Sequence, residues 1–255
     1  MKSPIKDLVK KTRCIGMLKA IIPRGSVIDS FLFYSGEVEF GLSAVDRFVN
    51  AHTNSYPVYE FWSCMEKDNH RLYDIVNSDI FKFQSPEMFP ILQENWVSYQ
   101  DPYIRSALFF LLNSCSEYGR VSSGPLNVAN YNPMSLSYIK SYKPLPTFHL
   151  THTDAKEWLS VVGAETSADY LYVPAGRFAY NLFAHGKSIG WEETEVNHRL
   201  LLKKLSSIQT KWIVTYNYHK ALKSHCKDFH FRMVDKYGRL TSHDEECCEI
   251  IVTNF

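Results

Sequence analysis

The apolar run Asp169-Tyr170-Leu171-Tyr172-Val173 leads into Pro174, Ala175, Gly176 and Arg177. In α/β sheets the carboxyl ends of strands carry the reacting groups, and this end offers one cation and no carboxylate. Asp169 stands roughly 15 Å from the far end at about 3.3 Å per residue, too far to act there. A second stretch, Asp29-Ser30-Phe31-Leu32-Phe33-Tyr34-Ser35-Gly36, combines one acid, three aromatics and one glycine after a short strand. A third group sets Arg120, Lys140 and Lys143 among Tyr118, Tyr131, Tyr138 and Tyr142 in a Ser- and Asn-rich segment. Cations for phosphates and rings for stacking suit nucleic acid; the same composition also suits a solvated loop region packed on a sheet. His219, His225, Cys226, His230, His243, Cys247 and Cys248 match no zinc spacing, so no metal site is expected.

These residues need elements to hold them. Val27 to Phe31 and Arg47 to Ala51 read as short strands, and Val58 to Val76 as a helix with a break near Asp68-Asn69. Asp101-Pro102 supplies an N-cap followed by proline at the first helical position, opening a helix with Ile104, Leu108, Leu111 and Leu112 on one face. From Asn113 to Pro146 no period is sustained, which predicts a loop-rich insertion. Strand patterns resume at Thr147 to Thr151, Asp169 to Val173 and Trp212 to Tyr216, with a helix from about Glu192 to Ser207. Phe229 to Val234 and Cys248 to Asn254 close the chain around the turn at Lys236 to Arg239, predicting an antiparallel hairpin at one sheet edge. Strands alternating with helices predict an α/β fold with a mixed, mostly parallel sheet.

At 255 residues, with 45% hydrophobic and 15% aromatic side chains, the chain can bury a sizeable core. Lys and Arg total 28 against 27 Asp and Glu, a net charge of +1, so no global basic field points to nucleic acid. Six cysteines without CxxC spacing and a Lys-rich, polar start predict an intracellular, cytoplasmic setting. The longest apolar run, Ala107 to Leu112, cannot span a bilayer, so a soluble protein without a membrane role is expected.

The order of landmarks resembles the Dam-like DNA adenine methyltransferases, including the phage-borne members, over nearly the whole chain. Asp101-Pro102 with Ala107 to Asn113 resembles the central helix of that family, and Tyr118-Gly119-Arg120 through Asn127 its following Gly/Arg/Asn segment. Trp191-Glu192-Glu193 with Leu200-Leu201-Leu202 resembles the helix after the catalytic loop. Trp212 to Asn217 and Cys248 to Phe255 are similar to its last parallel and final strands. The resemblance implies a Rossmann-like methyltransferase sandwich formed by residues 1–60 and 147–255, with an inserted helical and target-recognition-like subdomain at 61–146.

It also implies where the chemistry is altered. The catalytic Asp-Pro-Pro-Tyr of the family falls at Pro174, Ala175, Gly176 and Arg177, and a register shifted by one residue puts Val173 at the acid. The family's Asp-Pro-Phe-x-Gly-x-Gly cofactor loop falls at Asp29 to Gly36, placing Phe33 and Ser35 at glycine positions, where Phe33 and Tyr34 would fill the cofactor's space. The acid that ends the second strand of the family is replaced by Ala51-His52-Thr53-Asn54. Asp154, in Thr153-Asp154-Ala155, corresponds to an acid facing the cofactor's adenine, and by its own pattern reads first as an N-cap for a helix from Ala155 to Ser160. The implied state is a vestigial S-adenosylmethionine site marked by Phe31, Gly36 and Asp154, no bound cofactor, and no methyl transfer. The expected role is a binding or scaffold subunit. Its partner would be DNA, held weakly and salt-sensitively through Arg120, Lys140, Lys143 and Tyr118, or a protein or nucleoprotein assembly. Two alternatives stay open: an active S-adenosylmethionine-dependent DNA adenine methyltransferase with atypical motifs, and a structural component of a virion or other large complex.

Overall fold

The computed structural model describes residues 2–7, 12–78, 87–117, 119, 121, 124–153, 167–176 and 198–255. In chain order the first elements are α1 (Ile15–Ile21), β1 (Val27–Ser30), α2 (Glu37–Ser43), β2 (Phe48–Thr53), α3 (Tyr56–Asn77), α4 (Met88–Asn95), α5 (Pro102–Cys115) and α6 (Pro133–Lys140). There follow β3 (Phe148–His152), β4 (Tyr170–Gly176), α7 (His198–Leu205), β5 (Lys211–Asn217), α8 (Leu222–His225), β6 (His230–Asp235), β7 (Leu240–Thr241) and β8 (Cys247–Thr253). They form two compact units, one drawn from residues 2–7 and described residues of 55–144, the other from the described residues of 12–54 and 145–255.

The second unit is built on a mixed sheet of order β3-β2-β1-β4-β5-β8-β6-β7. β3, β2, β1, β4 and β5 are parallel, and β8 runs antiparallel to both β5 and β6. The order 3-2-1-4-5 is that of a doubly wound, Rossmann-like sheet, which reverses direction of winding between β1 and β4. β4 is apolar on both faces because both are covered: Tyr170, Leu171, Tyr172 and Val173 are all buried. On one face Leu171, Val173, Trp212, Val214, Ile250 and Val252 pack with Leu201, Leu202 and Leu205 of α7. The antiparallel C-terminal pairing is present, but the last strand lies inside the sheet between β5 and β6, while two-residue β7 takes the edge. β4 continues past the expected end at Val173 to Gly176, with a bulge at Ala175.

α1 is held at both ends. The Glu249 carboxylate, from β8, accepts from the backbone N–H of Cys14 at 2.8 Å and of Arg13 at 3.3 Å. At the other end the buried Arg47 guanidinium donates to the carbonyls of Lys19 (2.8 Å) and Ile22. Both contacts match the sign of the helix dipole. Where α1 meets α2, a Cβ on Gly41 would collide with the Ile15 side chain.

In the first unit α3 and α5 face each other through Phe61, whose ring lies 5.8 Å from Phe109 and 6.5 Å from Phe110, and an Arg105–Glu60 ion pair ties them. α5 starts where the sequence places it, with Asp101 accepting from Tyr103 N at 2.7 Å and Pro102 in the first turn. α3 is interrupted at Asp68 (φ −161°, ψ 82°), whose carboxylate accepts from Arg71 N at 2.9 Å and so caps the helix as it restarts. The segment read as loop contains α6, capped by Asn132 (Met134 N at 3.0 Å) and begun by Pro133, the same Asx-Pro start as α5. Its eight residues are too few to show a period. The expected helix over 192–207 is described only as His198–Leu205, its earlier part lying outside the described residues. Lys6 threads this unit: its ammonium donates to the carbonyls of Ser114, Ser116 (3.1 Å) and Asn130 (2.9 Å), and its backbone N–H to Asn113 Oδ1 at 2.7 Å.

Lys6→Met removes three charge-assisted hydrogen bonds, two at the end of α5 and one to Asn130, and a loss of about 2 kcal/mol in urea unfolding is expected. Burial raises the Glu249 carboxyl above its ordinary 4.5, its bonds to Cys14 and Arg13 opposing that rise. A raised acid stabilises fully below the unfolded value, and that contribution disappears as pH climbs through the folded value. Stability measured from pH 4.5 upward should therefore fall less steeply in Glu249→Gln than in the parent chain.

Candidate functional site

In a doubly wound sheet the binding crevice opens outside the carboxyl ends of the strands flanking the switch point, here β1 and β4 with β2 beside them. Phe31 N donates to Tyr172 O at 2.9 Å, which extends the pairing of β1 with β4, and Phe33 N donates to His52 O at 3.0 Å. The loop is thereby stitched to both neighbouring strands. Between these bonds Leu32 takes a left-handed φ of 56°.

One side chain of the loop, Phe33, does not go where the sequence suggested. Phe33 was expected to fill cofactor space; its buried ring points into the α2 layer, 5.9 Å from Phe40 and 5.5 Å from Phe148. Gly36 begins α2 with φ 74°, and a Cβ there would lie 2.5 Å from the Phe40 ring and 2.6 Å from that of Phe33. The glycine thus serves ring packing beneath the loop as well as the loop's path. Phe31, 1% exposed, stacks on the imidazole of His52 at 4.9 Å and 16°.

His52 stands at the end of β2, where the related pattern would carry an acid. Its Nδ1 lies 2.8 Å from Thr151 Oγ1 on β3. Burial pushes its pKa below 6.5, offset in part by the Asp29 carboxylate, which accepts from Asn50 Nδ2 at 3.0 Å. The imidazole is therefore neutral at physiological pH and acts as a flat polar plate. Beneath the loop, Ser30 Oγ donates to the buried Glu39 carboxylate at 2.8 Å.

Pro174, Ala175 and Gly176 lie within β4, Pro174 opposite Thr215 and Gly176 opposite Tyr216, with Gly176 at φ 70°. A bulge beside a crevice re-aims the chain, yet these residues bring no acid, hydroxyl or aromatic ring to it. Next to them Tyr172 OH pairs with Thr215 Oγ1 at 3.1 Å in the core, and Tyr216 OH with His198 Nδ1 at 3.2 Å. Burial raises both phenols above their ordinary range.

The structure thus brings Phe31, Gly36, Pro174, Ala175 and Gly176 to one end of the sheet. Arg177, Asp154, Arg120 and Tyr118 lie outside the described residues. Lys140 and Lys143 belong to the other unit; both are exposed, and the Lys140 ammonium lies 5.1 Å from the Tyr73 ring centroid. Two of the tyrosines read as stacking residues are structural: Tyr142 is buried against Trp62 at 5.9 Å, and Tyr131 packs edge-on to Phe110. Residues that sequence reasoning passed over are His52 as a stacking partner, Glu39 and Tyr172. The signal for Glu39 is an acid inside the otherwise apolar Val38 to Leu42. Among the described residues no cluster of His, Cys, Asp and Glu could hold a metal, and no helix is long and apolar enough to cross a membrane.

His52→Asn tests the imidazole. A depressed histidine contributes stability above its unfolded pKa and loses it as pH falls from about 6.5 toward the folded value. Thermal melts from pH 7.5 down to 5 should show a decline in the parent chain that is smaller in the variant.

No protein-family model matches the chain, and no curated protein sequence matches it. Solved structures with a similar fold include a TehB-like SAM-dependent methyltransferase from Corynebacterium glutamicum, 10% identical over 96% of this chain and 87% of that one, with a TM-score of 0.40. A precorrin-6y C5,15-methyltransferase from Geobacter metallireducens is 10% identical over 100% and 99%, with a TM-score of 0.39. A SAM-dependent methyltransferase from Agrobacterium tumefaciens is 8% identical over 94% of this chain and 58% of that one, with a TM-score of 0.40. At such identities and scores these likenesses bear on neither activity nor substrate.

Proposed function

We propose that the chain is a methyltransferase-type scaffold used for binding, in which the crevice at the β1/β4 switch does not transfer a methyl group. The observation that carries this reading is the chemical content of the described strand ends. β2 ends in neutral His52 stacked on Phe31, and β4 ends in a Pro174-Ala175-Gly176 bulge.

Methylating the exocyclic amine of adenine requires acceptors that localise the nitrogen lone pair, a ring to hold the flipped base, and a sulfonium methyl held in line. A proline, an alanine and a glycine supply neither a carboxylate nor an aromatic ring. Holding a ribose diol requires an acceptor at the end of the second strand, and an imidazole engaged by Phe31 and Thr151 is a poor substitute for a carboxylate. The ordered landmarks that resemble the DNA adenine methyltransferases give the class of enzyme from which such a scaffold derives. The partner is DNA or a protein or nucleoprotein assembly.

Calorimetry on the purified chain is the direct test. No saturable heat is expected with S-adenosylmethionine at physiological concentrations, nor any transfer of labelled methyl to adenine in DNA. Saturable binding together with labelled adenine would overturn the reading and return the chain to the active methyltransferases.

A further inference from the structure

The β6–β7 hairpin turns outward at Lys236-Tyr237-Gly238-Arg239 and is held by its own backbone. Asp235 Oδ1 accepts from Tyr237 N at 2.8 Å and from Arg239 N at 2.9 Å, and Gly238 N donates to Asp235 O at 3.1 Å. The N–H of Arg239, then those of Tyr237 and Gly238, hold the Asp235 carboxyl below its ordinary range, so its charge is spent inside the turn. The tip rests on the start of α1. Gly238 (φ 80°) approaches so closely that a Cβ there would lie 2.7 Å from the Arg13 carbonyl oxygen. Arg13 and Cys14 are themselves fixed by Glu249, so the hairpin is braced against the core.

This braced tip presents an aromatic ring to solvent. Tyr237 is 71% exposed, the most exposed of the large apolar side chains among the described residues. The Lys236 ammonium lies 5.0 Å and the Arg239 guanidinium 5.8 Å from its ring centroid, and exposed Arg13 adjoins the same tip. Two cations beside one ring are a local concentration of charge in a chain whose net charge is only +1. A ring needed for folding would be buried, and cations needed for solubility would be dispersed among acids.

We propose that this tip is a contact site for single-stranded nucleic acid, in which an unpaired base stacks on Tyr237 while Lys236 and Arg239 meet the flanking phosphates. An aromatic platform beside a cationic track is the chemistry that binds single strands without reading sequence. An exposed ring held on a rigid turn loses little freedom when a base lands on it. Arg can also stack on a base with its planar guanidinium. The site is separate from the β1/β4 crevice, so its standing does not depend on whether that crevice takes a cofactor.

The test is fluorescence anisotropy of a labelled single-stranded DNA oligonucleotide at low salt, using the full chain. Tyr237→Ala should weaken binding about fivefold or more, whereas Tyr237→Phe, which keeps the stacking face, should bind as the parent does. Lys236→Gln and Arg239→Gln should each lower the slope of log affinity against log salt by about 0.7, and Tyr237→Ala should leave that slope unchanged. Because Tyr237 is exposed, equal melting temperatures will show that the variants are folded. The proposal is overturned if no single strand binds, if Tyr237→Ala binds as well as the parent, or if polyglutamate or anionic vesicles bind as tightly and depend on the same residues.

Discussion

Two buried charges at opposite ends of α1 anchor much of the sheet-bearing unit. A seven-residue helix is too short to persist without outside contacts, so α1 exists because its free N–H groups meet the Glu249 carboxylate and its free carbonyls meet the Arg47 guanidinium. Glu249 comes from the strand inserted antiparallel between β5 and β6, and Arg47 leads into β2 on the other side of the switch point. One short helix therefore links the reversed half of the sheet to the parallel half. It also fixes the β6–β7 turn, because Gly238 packs on the carbonyl of Arg13 at the end that Glu249 holds. Burying a carboxylate carries a large desolvation cost, and the N–H groups of Arg13 and Cys14 at the start of the helix offset part of it.

How much of this was legible in the sequence follows from the range of each interaction. Asp101-Pro102 marks the start of α5 and Asp68 the break in α3 because a cap acts within three residues, and three residues are visible in a linear reading. The same chemistry at Asn132-Pro133 was overlooked because the surrounding composition was Ser, Asn and Pro and the helix is short. The place of β8 could not be read from pattern, since an apolar strand looks the same at an edge and inside a sheet. Glu249 was the available clue: one acid in Cys247 to Thr253 that must find a buried partner. Its partners, Arg13 and Cys14, lie more than 230 positions away, and nothing local points to them.

The same distinction governs the strand ends around the switch point. The absence of an acid from Ala51 to Asn54 and from Pro174 to Gly176 is a property of composition and was plain in the sequence. Where the remaining aromatics go was not. Phe33 and Phe31 are two residues apart, yet the loop between them passes through a left-handed residue, and the rings part company. Phe33 enters the layer with Phe40 and Phe148, while Phe31 stays to meet His52. A motif comparison counts Phe33 as an obstruction in the cofactor's place; the backbone instead makes it a core residue for which Gly36 leaves room.

That reassignment narrows the argument about function. With Phe33 in the core, the case against cofactor binding no longer rests on that ring and rests instead on the polar groups of the described strand ends. The described strand ends hold a neutral imidazole already engaged on one face and at Nδ1, while the acids near β1 are committed elsewhere, Asp29 to Asn50 and Glu39 to Ser30. A carboxylate that already accepts a hydrogen bond from its own fold has part of its capacity used, and freeing it would leave a buried donor without a partner. Among the described residues, these polar groups are directed toward holding β1, β2, β3 and α2 together. A surface that binds must present groups its own fold leaves accessible, and among the described residues of this unit the exposed ring of Tyr237 and the two cations beside it at the far turn of the sheet do so.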